Sequence, residues 1–253
     1  MVKKSDTISE RHSQRRSYSP VRKAIILAAG NGRRMGLFTV HTPKCLVPVN
    51  GIPILINMLT HLSRAGVEET VIVVGHLKEN IYDMVGTSFN GMKVSYIESD
   101  RHATTNNIYS LWLAREHLTE DVLLLEADVF FDRSLLDRIF SNGHNSVAAV
   151  AWHQSWMSGT VVSLDKEGNV QALLETRHQG PQFDYSGVYK TVNVYLLRRD
   201  FLHDQVVSCL ESYINAGDVN QYYEVIFHTT INSKRHKMTA VLCDDIKWFE
   251  IDD

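Results

Sequence analysis

A glycine-rich segment near the start of the chain combines small residues with two arginines. It reads Leu27-Ala28-Ala29-Gly30-Asn31-Gly32-Arg33-Arg34-Met35-Gly36 and follows a short apolar run. Small residues let the backbone fold tightly, so that several N–H groups converge on one anion. Guanidinium groups bind phosphate through paired hydrogen bonds. The segment predicts a phosphate-binding loop, although it lacks the Gly-Lys-Ser/Thr of a P-loop and the glycine spacing of a dinucleotide fingerprint.

One acidic residue, Asp128, follows the apolar run 122–127. Ligands of open α/β sheets bind at the carboxyl ends of strands, so Asp128 is expected at the same sheet edge as the glycine loop. Mg²⁺ takes one or two protein carboxylates and completes its shell with phosphate oxygens and water. Asp128 is therefore a candidate metal ligand. The alternative is a turn or helix-capping role, which Asp132 can also fill.

The composition is that of an ordinary folded protein. Of 253 residues, 44% are hydrophobic and 22% are charged, which argues against a largely disordered chain. The longest apolar runs, 24–29 and 147–152, are far below the roughly 18 residues of a membrane-spanning helix. Three scattered cysteines do not suit a disulfide framework or a CxxC metal site. Their odd number and the lack of a secretory segment favour the cytoplasm.

The charge is distributed unevenly along the chain. Residues 1–23 hold seven basic and two acidic side chains, which leaves 19 basic and 27 acidic side chains in the rest. We interpret residues 1–21 as a basic, solvated leader. The acidic remainder argues against a nucleic-acid-binding domain, because such a domain needs a positive face. Neither nucleic acid nor membrane insertion is expected.

Apolar runs and amphipathic segments alternate from residue 22 onward. The predicted strands are 24–27, 69–74, 93–97, 122–125, 146–152, 159–164, 169–174, 189–196 and 238–243. The predicted helices are 53–66, 77–85, 107–118, 133–140, 200–216 and 220–231. Strand–helix alternation requires parallel strands with right-handed crossovers. The segments 159–164 and 169–174 flank a turn and predict an antiparallel hairpin. The fold class is therefore α/β, with a mixed, mostly parallel Rossmann-like sheet, helices on both faces and a small antiparallel extension, in a single domain 22–253.

The glycine segment together with Thr42-Pro43-Lys44-Cys45-Leu46-Val47-Pro48-Val49-Asn50-Gly51 resembles the nucleotidyltransferase superfamily that makes nucleoside-diphosphate sugars and alcohols. Segments 104–112, 124–131 and 248–252 look like the branch that contains bacterial phosphocholine cytidylyltransferases and alkylphosphonate cytidylyltransferases. Sugar-activating relatives usually have Gln-Pro-x-Gly where this chain has Asn106-Asn107. The resemblance therefore favours an alcohol phosphate or a phosphonate over a sugar phosphate as acceptor.

The resemblance also implies a role for individual residues. Arg34 would steady the leaving pyrophosphate and Lys44 would bridge the reacting phosphates. Asp128 and Asp252 would hold Mg²⁺, although Glu250 or Asp253 could substitute for Asp252. The implied nucleotide-binding residues are Leu27, Ala28, Ala29, Gly30, Asn31, Gly32, Arg33, Gly75 and Asn106. The implied acceptor-binding residues are Asn107, Trp156, Lys190 and Tyr195, with a strand-edge lysine as the alternative interpretation of Lys190.

The reaction implied by the resemblance is transfer of CMP from CTP to phosphocholine, 2-aminoethylphosphonate, 2-hydroxyethylphosphonate or a similar acceptor, with release of pyrophosphate. The alternatives are a sugar-1-phosphate nucleotidyltransferase and a catalytically inactive regulatory relative. Retention of the whole cation set argues against an inactive protein. A fused or partner biosynthetic domain is a further expectation, because members of the superfamily normally continue beyond the position of Asp253. A homodimer is also expected.

Overall fold

The computed structural model describes residues 21–142 and 145–252, without the side chains of Arg33 and Leu37. Residues 1–20 of the predicted leader lie outside this range. The strands, in chain order, are β1 (Lys23–Ala28), β2 (Pro48–Val49), β3 (Ile52–Pro53), β4 (Glu69–Val74), β5 (Ser88–Phe89), β6 (Met92–Glu98), β7 (Val122–Glu126), β8 (Val129–Phe131), β9 (Ser146–Trp152), β10 (Val161–Leu164), β11 (Val170–Leu174), β12 (Tyr189–Leu197), β13 (Met238–Leu242) and β14 (Trp248–Glu250).

The helices pack on both faces of the sheet. They are α1 (Ile54–Arg64), α2 (Lys78–Val85), α3 (Asn107–Leu113), α4 (Ser134–Ser141), α5 (Arg199–Phe201), α6 (Val207–Asn215) and α7 (Glu224–Asn232), with a π-helical turn over Leu202–Val206 between α5 and α6. Short 3₁₀ segments cover Arg33–Thr39 and Lys44–Leu46. The first begins in the glycine-rich segment, and the second lies in the Thr-Pro-Lys motif. Within the described ranges, no helix is long and apolar enough to cross a membrane.

The main sheet has the strand order β11-β10-β12-β7-β1-β4-β6-β5, and β9 pairs with β12 and β13. Strands β7, β1, β4 and β6 are parallel, whereas β12 runs antiparallel to β7. Strands β10 and β11 form the predicted antiparallel hairpin. The predicted fold class is therefore confirmed.

Strand β1 shows how the sheet separates two apolar cores. Ile26 packs with α1, α2 and α4 in one buried cluster, whereas its neighbour Ile25 packs with α3, α6 and α7 in another. Successive side chains of a strand point to opposite faces, so a strand covered on both sides is apolar throughout. This explains the continuous apolar runs of β1 and β7, and it fixes the carboxyl ends of both strands at one edge of the sheet.

Two small two-stranded sheets were not predicted from the sequence. Strand β2 pairs with β3, and β8 pairs with β14. These strands have only two or three residues each, too few to show a periodic pattern. The β8–β14 pair matters for the site, because it brings the last described residues back against the end of β7.

Candidate active site

The glycine loop leaves the end of β1 in a compact conformation. Gly32 has a φ of 59°, in the left-handed region that favours glycine. A Cβ atom at Gly32 would lie 2.9 Å from Cγ2 of Thr39 and 3.1 Å from Cβ of Lys44. The Thr39 hydroxyl also donates a hydrogen bond to the Gly32 carbonyl at 2.9 Å. A bare Cα at this position is therefore what allows the glycine loop and the Thr-Pro-Lys motif to pack together.

Lys44 lies between two carboxylates. Its Nζ atom is 2.7 Å from Oδ2 of Asp128 and 2.6 Å from Oδ1 of Asp252. Arg34 reaches the same oxygen of Asp252 through Nη2 at 2.9 Å. Arg34, Lys44, Asp128 and Asp252 thus form one network of ion pairs. A shared triphosphate site requires these side chains to lie close together.

This network changes the proton affinity of its members. Burial lowers the pKa of Lys44, but the attraction of Asp128 and Asp252 outweighs burial and leaves that pKa above its ordinary value. Burial raises the pKa of Asp252, but the contacts with Lys44 and Arg34 leave it below its ordinary value. Lys44 and Asp252 therefore remain charged at neutral pH.

The β8–β14 pair brings Asp252 beside Asp128. Glu250 is paired with Val129 in this small sheet, and the Ile251 amide donates to the Asp128 carbonyl at 2.9 Å. Backbone hydrogen bonds next to the two aspartates therefore hold them near each other, although 124 positions separate them in the chain.

A divalent cation would fit this set of oxygens. One carboxylate oxygen each from Asp128, Glu250 and Asp252 lie within 4.8 Å of one another. In addition, Oδ1 of Asp128 is buried and forms no hydrogen bond with any residue of the described ranges. A buried oxygen without a donor costs free energy that a metal–oxygen contact would recover. The donor set is that of a hard cation such as Mg²⁺.

A cavity of about 300 Å³ opens beside this network. Its lining includes most of the predicted nucleotide-binding residues and both predicted metal ligands. The lining residues are Leu27, Ala28, Ala29, Gly30, Asn31, Gly32, Arg34, Lys44, Cys45, His102, Thr105, Asn106, Asn107, Ser110, Glu126, Ala127, Asp128, Tyr222 and Asp252. The side chain of Arg33 lies outside the described part of the chain, so its predicted role stays a prediction.

The two asparagines that precede and begin α3 line this cavity in different ways. Asn106 caps the helix, since its side-chain oxygen accepts from the Asn107 amide at 2.8 Å. The Asn107 side chain donates to Oε1 of Glu126 at 3.2 Å and accepts from the Tyr223 amide at 3.0 Å. Asn107 therefore connects β7 to the start of α7, in addition to lining the cavity.

Lys190 does not line the cavity. Its side chain is 1% exposed, its Nζ atom lies 2.8 Å from Oε2 of Glu250, and it donates to the Thr191 carbonyl at 2.7 Å. Asn193 donates to the other oxygen of Glu250 at 3.1 Å. Lys190 is thus not an edge-strand lysine and does not line the cavity. It pairs instead with Glu250, the third carboxylate of the group that includes Asp128 and Asp252.

The other two predicted acceptor-binding residues also lie away from the cavity. Tyr195 is fully buried in the core between the sheet and α7, where its ring meets Phe227 edge-on at 5.3 Å. Trp156 is 71% exposed in the segment after β9. The structure therefore does not bring Tyr195 or Trp156 together with Lys44 and Asp128. Tyr195 lies in the core on β12, and Trp156 lies in a surface loop. Gly75 follows β4 and contacts the cavity-lining residue His102 rather than lining the cavity itself.

Several cavity or network residues were not predicted as site residues. Glu126 lies two positions before Asp128 in segment 124–131, which the resemblance used, and Tyr222 lies in the predicted helix 220–231. Glu250 was considered only as a substitute for Asp252. Burial and the neighbouring Asp128 raise the pKa of Glu126 well above its ordinary value. His102 carried no signal in the sequence, since single histidines in loops are common.

The chain is similar to nucleotidyltransferases of known activity. Residues 24–190, more than half of the chain, match the family model of the MobA-like NTP transferase domain. The chain is 38% identical over 234 residues to the CMP-5′-(3-aminopropyl)phosphonate synthase of Streptomyces rubellomurinus, a match that covers 92% of this chain and 37% of that relative. It is 36% identical over 113 residues to the choline-phosphate cytidylyltransferase of Streptococcus pneumoniae, covering 45% of this chain and 47% of the relative. The matched part of each relative is thus less than half of its length.

A solved structure of the CTP:phosphocholine cytidylyltransferase from Streptococcus pneumoniae matches this fold with a TM-score of 0.74 at 24% identity. The match covers 92% of this chain and 95% of that chain, and at this identity it supports the fold alone. The family indicated by the glycine and Thr-Pro-Lys motifs is confirmed by the family model. The chain belongs to the MobA-like NTP transferase family of nucleotidyltransferases.

Proposed function

We propose that the chain is a cytidylyltransferase domain that transfers CMP from CTP to a small alkylphosphonate or phosphorylated alcohol. An oxygen of the acceptor's phosphonate or phosphate attacks the α-phosphorus of CTP, and the bond to the bridging β-phosphate oxygen breaks in line, so that pyrophosphate leaves. The observation that carries the proposal is the single network of Arg34, Lys44, Asp128 and Asp252 beside the glycine loop.

The barrier to this reaction lies in bringing two anions together. Positioned cations and backbone N–H groups lower such barriers by stabilising the charge that develops in the transition state. The loop 29–32 supplies backbone amides for the triphosphate. Lys44 lies where its ammonium can neutralise the reacting phosphates, and Arg34 at the rim can pair with the leaving pyrophosphate.

Mg²⁺ fits the oxygens of Asp128 and Asp252, and when bound it would neutralise phosphate charge and fix the geometry of the α-phosphate. Glu250 lies behind the two aspartates and is held by Lys190 and Asn193. This arrangement orients the end of β14, and Asp252 follows that strand by two residues. The Lys44 ammonium must leave its present position between the aspartates to make room for a cation there.

An acceptor with a primary ammonium suits the cavity better than one with a trimethylammonium group. Glu126 lines the cavity, and an acceptor ammonium beside it would favour the charged carboxylate that burial and Asp128 disfavour in the free site by raising its pKa. A quaternary ammonium favours several aromatic faces, whereas Tyr222 and His102 are the aromatic rings that line the cavity within the described ranges. The similarity to a CMP-5′-(3-aminopropyl)phosphonate synthase over 92% of the chain supports the same choice.

The experiment is a matrix of pyrophosphate-release assays on the full chain with Mg²⁺. CTP, UTP, dTTP, ATP and GTP are each combined with 3-aminopropylphosphonate, 2-aminoethylphosphonate, 2-hydroxyethylphosphonate, phosphocholine and glucose 1-phosphate. We expect the highest kcat/KM with CTP and an aminoalkylphosphonate. The highest value with glucose 1-phosphate would support the sugar-1-phosphate alternative, and no release with any pair would support an inactive relative.

A further inference from the structure

His102 lies in the segment between β6 and α3, and its ring is fixed from two sides. Its Nδ1 atom lies 2.8 Å from the backbone carbonyl oxygen of Ser99. The ring also packs against the bare Cα of Gly75, because a Cβ atom there would lie 2.7 Å from both Cβ and Cγ of His102. The imidazole therefore has a defined orientation in the wall of the cavity.

The contact with Ser99 fixes the tautomer of the neutral ring. A carbonyl oxygen can only accept a hydrogen bond, so Nδ1 must carry the proton and donate. In neutral imidazole the other nitrogen, Nε2, is then an acceptor. Nε2 of His102 forms no hydrogen bond with a residue in the described parts of the chain, which leaves this acceptor for a ligand.

The strand order separates His102 from the charged network. Asp128 follows β7, whereas Gly75 follows β4, and β1 lies between these two strands. Two strand spacings amount to roughly 10 Å. Thr105 and Asn106, uncharged polar residues of the same chain segment, line the cavity together with His102. A triphosphate bound at the Lys44 end would direct its nucleobase toward the His102 end.

We propose that His102 reads the base of the nucleotide, with Nε2 accepting a hydrogen bond from the 4-amino group of cytosine. Uracil and thymine carry an acceptor oxygen at the same ring position, so their O4 would face the lone pair of Nε2. Because donor and acceptor patterns must match in a partly dry cavity, His102 favours CTP over UTP. This inference rests on the proposed function, which makes CTP the nucleotide substrate.

The test measures equilibrium binding rather than turnover, so it needs no acceptor. The affinities of CTP, UTP and the triphosphate of pyrimidin-2-one riboside, which lacks only the 4-amino group of CTP, are measured by calorimetry with Mg²⁺. The wild-type chain, His102→Phe and His102→Leu are compared. His76→Phe is the matched control, because the two histidine rings lie 6.4 Å apart and both residues line a neighbouring second cavity, whereas His102 but not His76 lines the first.

We expect the wild-type chain to bind CTP about tenfold more tightly than either other nucleotide, a factor typical of one hydrogen bond. Both His102 variants should bind all three nucleotides within about twofold, and His76→Phe should keep the wild-type preference. Equal wild-type affinity for CTP and the pyrimidin-2-one nucleotide would overturn the inference, as would an unchanged preference in folded His102→Phe or His102→Leu. If neither variant folds, the wild-type comparison still decides against the inference when the affinities are equal.

Failure of this inference is distinguishable from failure of the proposed function. If only the inference fails, pyrophosphate release from CTP remains while the His102 variants keep the wild-type nucleotide preference. If only the proposed function fails, no acceptor supports release although nucleotide preference still depends on His102.

Discussion

The Nζ atom of Lys44 lies 2.7 Å from Oδ2 of Asp128. The same nitrogen lies 2.6 Å from Oδ1 of Asp252, so one ammonium contacts both carboxylates that we assign to a divalent cation. A second positive charge at those oxygens would repel the ammonium. A metal bound by these aspartates would therefore compete with Lys44, and phosphate groups of the nucleotide would offer the ammonium another partner.

Lys44→Met should separate these two roles. Without the ammonium, the aspartates should bind Mn²⁺ more tightly when no nucleotide is present. Turnover should fall by about a hundredfold or more, since a positioned charge on the reacting phosphates is lost. Mn²⁺ titration followed by magnetic resonance and pyrophosphate release would measure the two effects. Lys93→Met, at an exposed ion pair with Glu69, is the control and should change neither quantity. Weaker Mn²⁺ binding in Lys44→Met would contradict the competition.

Asp128→Asn should keep the size of the side chain but remove a charged metal ligand. We expect turnover to fall by about a hundredfold or more and the Mg²⁺ concentration for half-maximal rate to rise, because an amide oxygen is a weaker ligand for a hard cation. The measurement is pyrophosphate release against Mg²⁺ concentration. Asp132→Asn is the control, since Asp132 caps the start of α4 at the surface. A wild-type rate and Mg²⁺ dependence in Asp128→Asn would remove Asp128 from the site.

Glu126→Gln should discriminate among acceptors. The change removes the carboxyl group that could ionise beside an acceptor ammonium and keeps a hydrogen-bonding oxygen for Asn107, so the local fold should persist. We expect KM to rise for 2-aminoethylphosphonate and 3-aminopropylphosphonate but to change little for 2-hydroxyethylphosphonate, which has no ammonium. Steady-state kinetics with these three acceptors makes the comparison. An equal rise in KM for all three would argue against an ammonium contact with Glu126.

Lys190→Met should lower the free energy of unfolding, because it leaves Glu250 without its cation in a largely buried position. Breaking one partner of a buried pair costs about 3 kcal/mol or more. Removing the second charge in Lys190→Met/Glu250→Gln should recover part of this loss, as measured by denaturant unfolding. Arg138→Met, in the more exposed pair with Asp245, should cost less, about 1 kcal/mol. A smaller loss in Lys190→Met than in Arg138→Met would contradict the assigned role of the buried pair.

Glu224 should make stability depend on pH. Burial raises the pKa of Glu224 to about 7, from an ordinary value of 4.5. Between these values the folded chain holds a proton that the unfolded chain has lost. The contribution of Glu224 to stability therefore falls as pH rises from 4.5 to 7, by an amount on the order of a few kcal/mol.

Chemical denaturation of the wild-type chain and Glu224→Gln at pH 5, 6, 7 and 8 tests this dependence. The amide cannot ionise, so the variant should lose less stability across the series. Glu211→Gln, at an exposed position of α6, should follow the wild-type curve. Parallel curves for the wild-type chain and Glu224→Gln would show that Glu224 does not titrate in this range.

Local features of the sequence determined the fold class and half of the site. The apolar runs of β1 and β7 predict buried parallel strands, and the glycine loop and Asp128 follow these strands directly. Because the carboxyl ends of parallel strands lie at one edge, these residues come together without knowledge of loop geometry. The position of Asp128 at this edge follows from its place directly after the apolar run that forms β7.

Only the tertiary structure decided where the residues of β12 and the chain end lie. Strand β12 is buried on both faces, so alternation of polar and apolar residues does not distinguish its two faces. The sequence therefore does not reveal that Tyr195 lies in the core and that Lys190 pairs with Glu250. Asn193, with a φ of 59°, interrupts its pairing with β9, an irregularity that periodicity does not reveal. Asp252 meets Asp128 through three-residue strands whose pairing depends on long-range backbone hydrogen bonds, and such contacts leave no local pattern in the sequence.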